Sequence, residues 1–192
     1  MKRELTTNLF VFFLLVAVGV GSRWIADAGQ PTLSNFTALA AAGLFAGFYF
    51  KPRWIAGLVP LAIMPLSNLG LPKYNNGWEM TFALAMLLLP VALGWFLQRK
   101  ATWLRIFSSA AAPAILFYLV TDLVFLPGQS LYPQTIAGQL DSYVAALPFL
   151  RNMLLGNLVY SALFFGVYWA VVSARLGSRT NAELVPAPVR AE

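Results

Sequence analysis

The 192-residue sequence contains no cysteine and no histidine. The absence of cysteine excludes disulfides, thiol chemistry and thiolate metal sites. The absence of histidine removes the commonest metal ligand and the usual general base, so neither an HExxH zinc motif nor a Ser–His dyad can form. A phosphate-binding loop of the GxxxxGK[ST] type is also missing, and ATP hydrolysis by this chain is not expected. We therefore predict a protein that is not an enzyme and uses no cofactor or metal.

Charged residues are also scarce. They make up only 10% of the sequence, against 59% hydrophobic residues, whereas soluble domains carry about 25% charged residues. Apolar runs long enough to cross a bilayer recur along the chain, which predicts an all-α, polytopic membrane protein. The net charge of +6 does not indicate nucleic-acid binding, because the basic residues form short clusters between apolar runs, as topology signals do.

Six transmembrane helices are predicted, with polar or basic connections between them. They cover approximately residues 9–25, 36–50, 54–71, 80–97, 103–126 and 148–174. The longest connection, residues 127–147, is predicted to be a polar and aromatic loop, and Pro148 to open the last helix. Residues 1–174 therefore form the predicted membrane domain, and residues 175–192 are predicted to be a disordered cytoplasmic tail.

The basic residues also predict the orientation. Of the 13 Lys and Arg residues, ten fall on the side of the N terminus, and only Arg23, Lys73 and Arg151 fall on the opposite side. Cytoplasmic loops of membrane proteins carry an excess of Lys and Arg. This bias places both termini in the cytoplasm.

The segment at residues 35–53 contains a pattern of small residues within an apolar stretch. Five of them form adjacent rows at a four-residue spacing: Ala38, Ala42, Ala46, Gly43 and Gly47. On a helix, this small-residue row makes a shallow groove that lets a second helix approach closely, a main route to tight packing in lipid. Two interpretations stay open: the row packs within the protein's own bundle, or it docks a separate membrane protein.

Polar and ionisable side chains gather at the predicted outer end of the helices. Placing an ionisable group in a bilayer costs a free energy of about 2.5 to 3.5 kcal/mol near a helix centre. Pockets for small ligands combine apolar walls with a few directed polar groups. The sequence therefore predicts a site for a small molecule, formed by Arg23, Asn68, Trp78, Glu79, Tyr118, Asp122, Arg151 and Asn157. The alternative is structural: Arg151 neutralises Asp122 or Asp141, and Asn157 joins two helices.

Three stretches suggest a family: NFTALAAAGLFAGFYF, WIAGLVPLAIMPLSNLGL and YPQTIAGQLDSYVAALPFLRNMLLGNLVYSALFFG. Over about residues 23–166, the chain resembles a family of uncharacterised six-helix bacterial membrane proteins. That family is similar to the substrate-binding S components of energy-coupling-factor (ECF) vitamin transporters. The resemblance implies a multi-pass protein of the bacterial inner membrane that captures a vitamin or similar molecule from outside.

The resemblance also implies partners. S components carry small residues spaced as AxxxA and dock through them on a transmembrane coupling protein. Two cytoplasmic ATPases drive that coupling protein. In S components this motif usually lies on the first helix, whereas here it lies on the second. The leading hypothesis is thus a substrate-binding membrane protein whose partners are a small ligand, membrane lipid, the coupling protein and the ATPases. The alternative is a structural or assembly subunit of a larger membrane complex, and a membrane enzyme is a third.

Overall fold

The structure, a computed structural model, describes residues 2–28, 33–71, 77–124 and 131–183. Six α-helices lie within these ranges. The helices are α1 (Lys2–Ala28), α2 (Leu39–Tyr49), α3 (Arg53–Ser67), α4 (Gly77–Leu97), α5 (Trp103–Thr121) and α6 (Ile136–Glu183). No strand occurs within these ranges. The predicted all-α class is therefore confirmed.

Three of the described helical segments are long and apolar enough to cross a membrane: Glu4–Ala28, Trp103–Thr121 and Ile136–Leu176. The other three apolar helical segments are shorter: Leu39–Tyr49, Arg53–Ser67 and Ala83–Leu97. Helix α2 has 11 residues, and at about 1.5 Å per residue it covers roughly 16 Å of a hydrocarbon core about 30 Å thick. The helices are those of a membrane protein, while six complete spans and the orientation of the termini stay predictions.

Local sequence explains where two of the helices begin. Only residues 50–52 separate α2 from α3, because Pro52 disfavours a helical conformation at the residue before it. At the start of α5, the Thr102 hydroxyl accepts a hydrogen bond from the Arg105 backbone N–H at 3.4 Å, as N-cap residues do. These positions agree closely with the predicted boundaries.

The N-terminal end of α2 lies inside the bundle. In the turn before it, Asn35 has a φ of 66°, a left-handed conformation that Asn adopts more readily than most residues. The buried N–H of Ala38 donates to the Ser22 hydroxyl of α1 at 2.9 Å, and the Asn152 amide of α6 donates to the Ser34 carbonyl at 2.9 Å. Side chains of α1 and α6 therefore satisfy backbone groups that a buried helix end would otherwise leave unpaired.

Helix α2 is the centre of the bundle and contacts each of the other five helices. Residues 41–47 are all buried, which is typical of a helix enclosed on every side. It approaches α4 most closely: a Cβ added at Gly47 would collide with the Val91 carbonyl oxygen, and one added at Gly94 with the Leu44 carbonyl oxygen. The two backbones are in contact there, as small residues permit.

The small-residue row is part of this interior. Ala38, Ala42 and Ala46 have no exposed surface. Gly43 and Gly47 both face α4. Their burial favours the interpretation of packing within the protein's own bundle and leaves the row without an exposed face for a second protein. Docking through this row stays a prediction.

Helix α6 differs most from the prediction. It begins well before Pro148, which lies inside the helix, so the prediction that Pro148 opens it is wrong. The physical reason is a cap at Thr135, whose hydroxyl accepts a hydrogen bond from the Gly138 N–H at 3.1 Å. At its other end, α6 continues through residues 175–183, the start of the tail predicted to be disordered. Residues 184–192 lie outside the described part of the chain.

Candidate functional site

A cavity of about 150 Å³ lies in the bundle, in the half that contains the end of α1 and the beginning of α2. All six helices contribute to its wall. The polar residues that line it are Arg23, Asn35, Thr37 and Asn157. The apolar ones are Leu39, Ala40, Met64, Ala83, Met86, Leu87, Pro90, Pro113, Ala114, Phe117 and Met153. Apolar walls with a few polar groups are typical of a site for a small molecule.

Arg23 brings a positive charge to the cavity. It lies on α1 and is half-buried, and its Nη1 donates to the Ser67 hydroxyl at 2.5 Å and to Met64 Sδ at 2.8 Å, both on α3. Ser67 is fully buried, and its hydroxyl donates in turn to the Met64 carbonyl at 3.0 Å. A thioether is a weak acceptor. An anionic oxygen in the cavity would therefore be a stronger partner for the guanidinium than Met64 is.

Asn157 is the second predicted site residue that lines the cavity. Its side chain is only 2% exposed, and Nδ2 donates to the Ala110 carbonyl of α5 at 3.0 Å. The side-chain oxygen has no hydrogen-bond partner among the residues that the structure describes. Asn157 thus joins α5 to α6, as the structural alternative predicted, and it also offers an acceptor to a ligand.

Tyr118 and Asp122 do not line the cavity. They lie in the contact between the end of α5 and the first turns of α6, where the Tyr118 hydroxyl donates to the Tyr143 carbonyl at 2.9 Å. The Asp122 backbone carbonyl accepts hydrogen bonds from Gln139 Nε2 at 2.9 Å and from the Ser142 hydroxyl at 3.0 Å. The polar side chains of α6 therefore pair with carbonyl groups that the end of α5 leaves free.

Arg151 and Asn68 also lie outside the cavity lining. Arg151 is exposed, and within the described residues it forms no ion pair with Asp122 or Asp141, so neither pairing left open by the sequence is present. Asn68 follows α3, and its buried Oδ1 has no hydrogen-bond partner in the described part of the chain. The side chains of two further predicted site residues lie outside what the structure describes: Trp78 and Glu79.

Sequence reasoning missed the methionines of the site. Met64, Met86 and Met153 line the cavity from α3, α4 and α6. Methionine side chains are flexible and polarisable, so they adapt to irregular surfaces and pack well against aromatic rings. Because each of the three lies on a different helix, their spacing along the sequence contains no sign of their convergence.

Among the described residues, the cavity combines the guanidinium of Arg23, the amide residues Asn35 and Asn157, Thr37 and thioether walls. An apolar cavity of about 150 Å³ in another protein accommodates benzene, so a compact molecule of single-ring size fits this volume. Within the described residues, no group of three or more His, Cys, Asp or Glu side chains could hold a metal ion. The arrangement therefore favours a small organic anion with an apolar body.

A model of one protein family matches residues 3–181, nearly the whole chain, and is described as "Family of unknown function (DUF6580)". No curated protein matches the chain significantly, and neither does any solved structure. The family match agrees with the predicted likeness to an uncharacterised family. The likeness to ECF S components stays a prediction.

Proposed function

We propose that this chain, which belongs to the DUF6580 family of unknown function, is a non-enzymatic membrane protein that binds a small molecule between its six helices. One observation supports this proposal above all: Arg23 and Asn157, two polar residues on different helices, line the same mostly apolar cavity. A charged group near the interior of a membrane protein is unfavourable unless it has a partner or a function. The partners of Arg23 include the thioether of Met64. An anionic oxygen in its place would form a stronger hydrogen bond with the guanidinium.

The ligand that we propose is a compact anion of single-ring size, such as a monocarboxylate with an aromatic or aliphatic ring. Its carboxylate would pair with Arg23, a hydroxyl or N–H group would donate to the Asn157 oxygen, and its apolar body would contact the three methionines. Ligand pockets for drug-sized molecules measure about 300 to 1,000 Å³. A cavity of about 150 Å³ therefore favours a small vitamin-like compound over a large one.

We further propose an S-component-like role, in which the ligand enters from outside the cell and partner subunits supply the energy for uptake. In this arrangement all six helices lie in the inner membrane, and both termini face the cytoplasm. The basic cluster at residues 99–105 and the pair Lys51 and Arg53 support this orientation, as does the position of the cavity near Arg23, at the less basic end.

The decisive experiment measures ligand-dependent stability of the purified protein. In nanodiscs, single-ring carboxylates should raise the unfolding temperature of the wild type, because a ligand at about 100 times its Kd stabilises the folded state by about 2.7 kcal/mol. The corresponding neutral amides should have little effect. Arg23→Gln should remove the response to the carboxylates, whereas Arg99→Gln, which changes an exposed arginine away from the cavity, should retain it.

Two results would contradict the proposal. The first is equal stabilisation of the wild type and of Arg23→Gln by every carboxylate. The second is a protein that responds to no compound and co-purifies with a fixed set of membrane subunits, which would favour the structural or assembly role. Asn157→Leu should weaken ligand binding and also lower the stability of the ligand-free protein by about 0.6 kcal/mol, through the lost bond between helices.

A further inference from the structure

A groove on the surface of the bundle lies between α1 and α6 and is separate from the cavity described above. Its volume is about 500 Å³. Phe10 and Leu14 of α1 line one side, Val167 and Val171 of α6 line the other, and Phe45 of α2 lies between them. The side walls are open: Phe10 is 65% exposed and Val167 is 56% exposed. In a membrane, such a surface is in contact with lipid chains.

The length of the groove matches one leaflet of a bilayer. Along α1 it extends from Thr7 to Val18, and along α6 from Leu163 to Arg175. At a rise of about 1.5 Å per residue, these stretches measure roughly 16 to 18 Å. Half of a hydrocarbon core about 30 Å thick is roughly 15 Å. One extended acyl chain of a phospholipid would therefore run along the groove from end to end.

One end of the groove opens into a polar mouth. This second depression has a volume of about 1,110 Å³, and it shares Thr7, Tyr49, Val171 and Arg175 with the groove, so the two spaces are continuous. Among the described residues, two cations line it, Lys51 and Arg175, against one carboxylate, that of Glu4. The mouth therefore has a net positive charge beside a mostly apolar channel.

We propose that this groove and its mouth form a specific site for one anionic glycerophospholipid. An acyl chain lies between α1 and α6, and the phosphate pairs with Lys51 and Arg175. Basic pockets between transmembrane helices bind anionic lipid headgroups in this way, and the planar guanidinium of Arg matches the geometry of a phosphate. Hydroxyl and amide groups of Thr7, Asn8 and Tyr49 at the mouth provide further hydrogen-bonding partners for the headgroup.

A helix of a partner protein is a poorer match. A helix with apolar side chains would bring no negative charge to Lys51 and Arg175 beyond the one carboxylate of Glu4. The positive charge at the end of the groove therefore favours an anionic lipid.

The test is native mass spectrometry of the full chain, released from nanodiscs with equal amounts of phosphatidylglycerol and phosphatidylcholine that have identical acyl chains. The wild type should retain one phosphatidylglycerol in preference to phosphatidylcholine. Lys51→Gln and Arg175→Gln should each reduce this preference about fivefold, since each basic residue near an anionic lipid contributes about that factor. Arg175→Lys should keep most of it, and Arg99→Gln, at the same end but outside the mouth, should change nothing.

A second variant tests the apolar channel. Val167→Trp should fill it and release both lipids, whereas Val159→Trp, at an equally exposed valine of α6 outside the groove, should retain phosphatidylglycerol. Circular dichroism and the unfolding temperature establish that each variant is folded. Equal retention of both lipids by the wild type would overturn the proposal. The proposal would also be overturned if Lys51→Gln and Arg175→Gln retained as much phosphatidylglycerol as Arg99→Gln does. A third contrary result would be a membrane protein, in place of a lipid, that binds the wild type and is displaced by Val167→Trp.

Discussion

Gly47 of α2 and Gly94 of α4 face each other where the two helix backbones come into contact. A Cβ at Gly47 would lie 3.1 Å from the Cα of Gly94, and a Cβ at Gly94 would lie 2.9 Å from the carbonyl carbon of Gly47. Such distances are shorter than ordinary van der Waals contact. Because the obstructing atoms belong to backbone, no side-chain rotation could relieve the clash, and the two helices would have to move apart.

We predict that Gly94→Ala destabilises the bundle. Forcing extra atoms into a packed interior typically lowers the free energy of unfolding by about 1 to 3 kcal/mol, and backbone contact places this site at the upper end. Reversible unfolding in mixed micelles measures the change. Gly57→Ala is the control, because a Cβ there meets nothing within 4 Å and alanine is the better helix former by about 0.5 to 1 kcal/mol. Equal stability of the two variants would mean that the backbones of α2 and α4 are not in contact at Gly47 and Gly94.

The buried hydroxyl of Ser67 supports Arg23, so its removal should weaken both the fold and the site. We expect Ser67→Ala to lower the free energy of unfolding by about 1 to 3 kcal/mol, since the guanidinium loses a buried acceptor. Ser108→Ala is the matched control: its exposed hydroxyl bonds only to the Leu104 carbonyl, one turn back on the same helix. An unchanged stability in Ser67→Ala would show that Arg23 does not depend on this contact.

Gln139 attaches the beginning of α6 to the end of α5. It donates to the Asp122 carbonyl at 2.9 Å and accepts from the Val124 N–H at 3.1 Å. Two hydrogen bonds contribute about 2 kcal/mol together, so Gln139→Ala should increase amide hydrogen exchange across residues 136–147 by tenfold or more. Gln134→Ala, an exposed position before the helix, should leave exchange unchanged. Rapid exchange of this segment in the wild type would contradict the long form of α6.

The absence of cysteine makes the orientation directly measurable, because a single introduced thiol reports its own side of the membrane. Leu131→Cys, at a position that is 85% exposed, should react in intact cells with a maleimide that does not cross membranes. Arg99→Cys should react only after the cells are permeabilised, as the excess of basic residues on its side predicts. The reverse pattern would invert the proposed topology and direct the cavity end towards the cytoplasm.

The sequence predicts those parts of the structure that depend on local chemistry. The apolar runs place helix boundaries close to Pro52 and Thr102, and the rarity of charge identifies a membrane protein. Arg23 and Asn157 were recognisable as candidate site residues because ionisable and polar groups at the outer end of apolar helices are unusual. The four-residue spacing of Ala38, Ala42 and Ala46 indicates close packing, but spacing along one helix does not identify the helix that packs against it.

The remaining features depend on contacts between distant segments. Residues 136–147 contain polar and aromatic side chains that resemble a loop, yet Gln139, Ser142 and Tyr143 pair with the end of α5 and so belong to a helix. The hydroxyl of Thr135 was the local signal for its start. The convergence of the methionines could not be predicted, because an apolar residue on a helix gives no indication of which neighbour it will meet.

The brevity of α2 has a geometric consequence for the whole molecule. The helix begins only at Leu39, and the space before its first turn is occupied by Asn35, Thr37 and the cavity that they help to line. Irregular backbone at membrane depth is tolerated where protein surrounds it or where it borders an internal space. Two added helical turns before Leu39 would replace the irregular backbone at Asn35 and Thr37, so the shape of this cavity depends on where one helix begins.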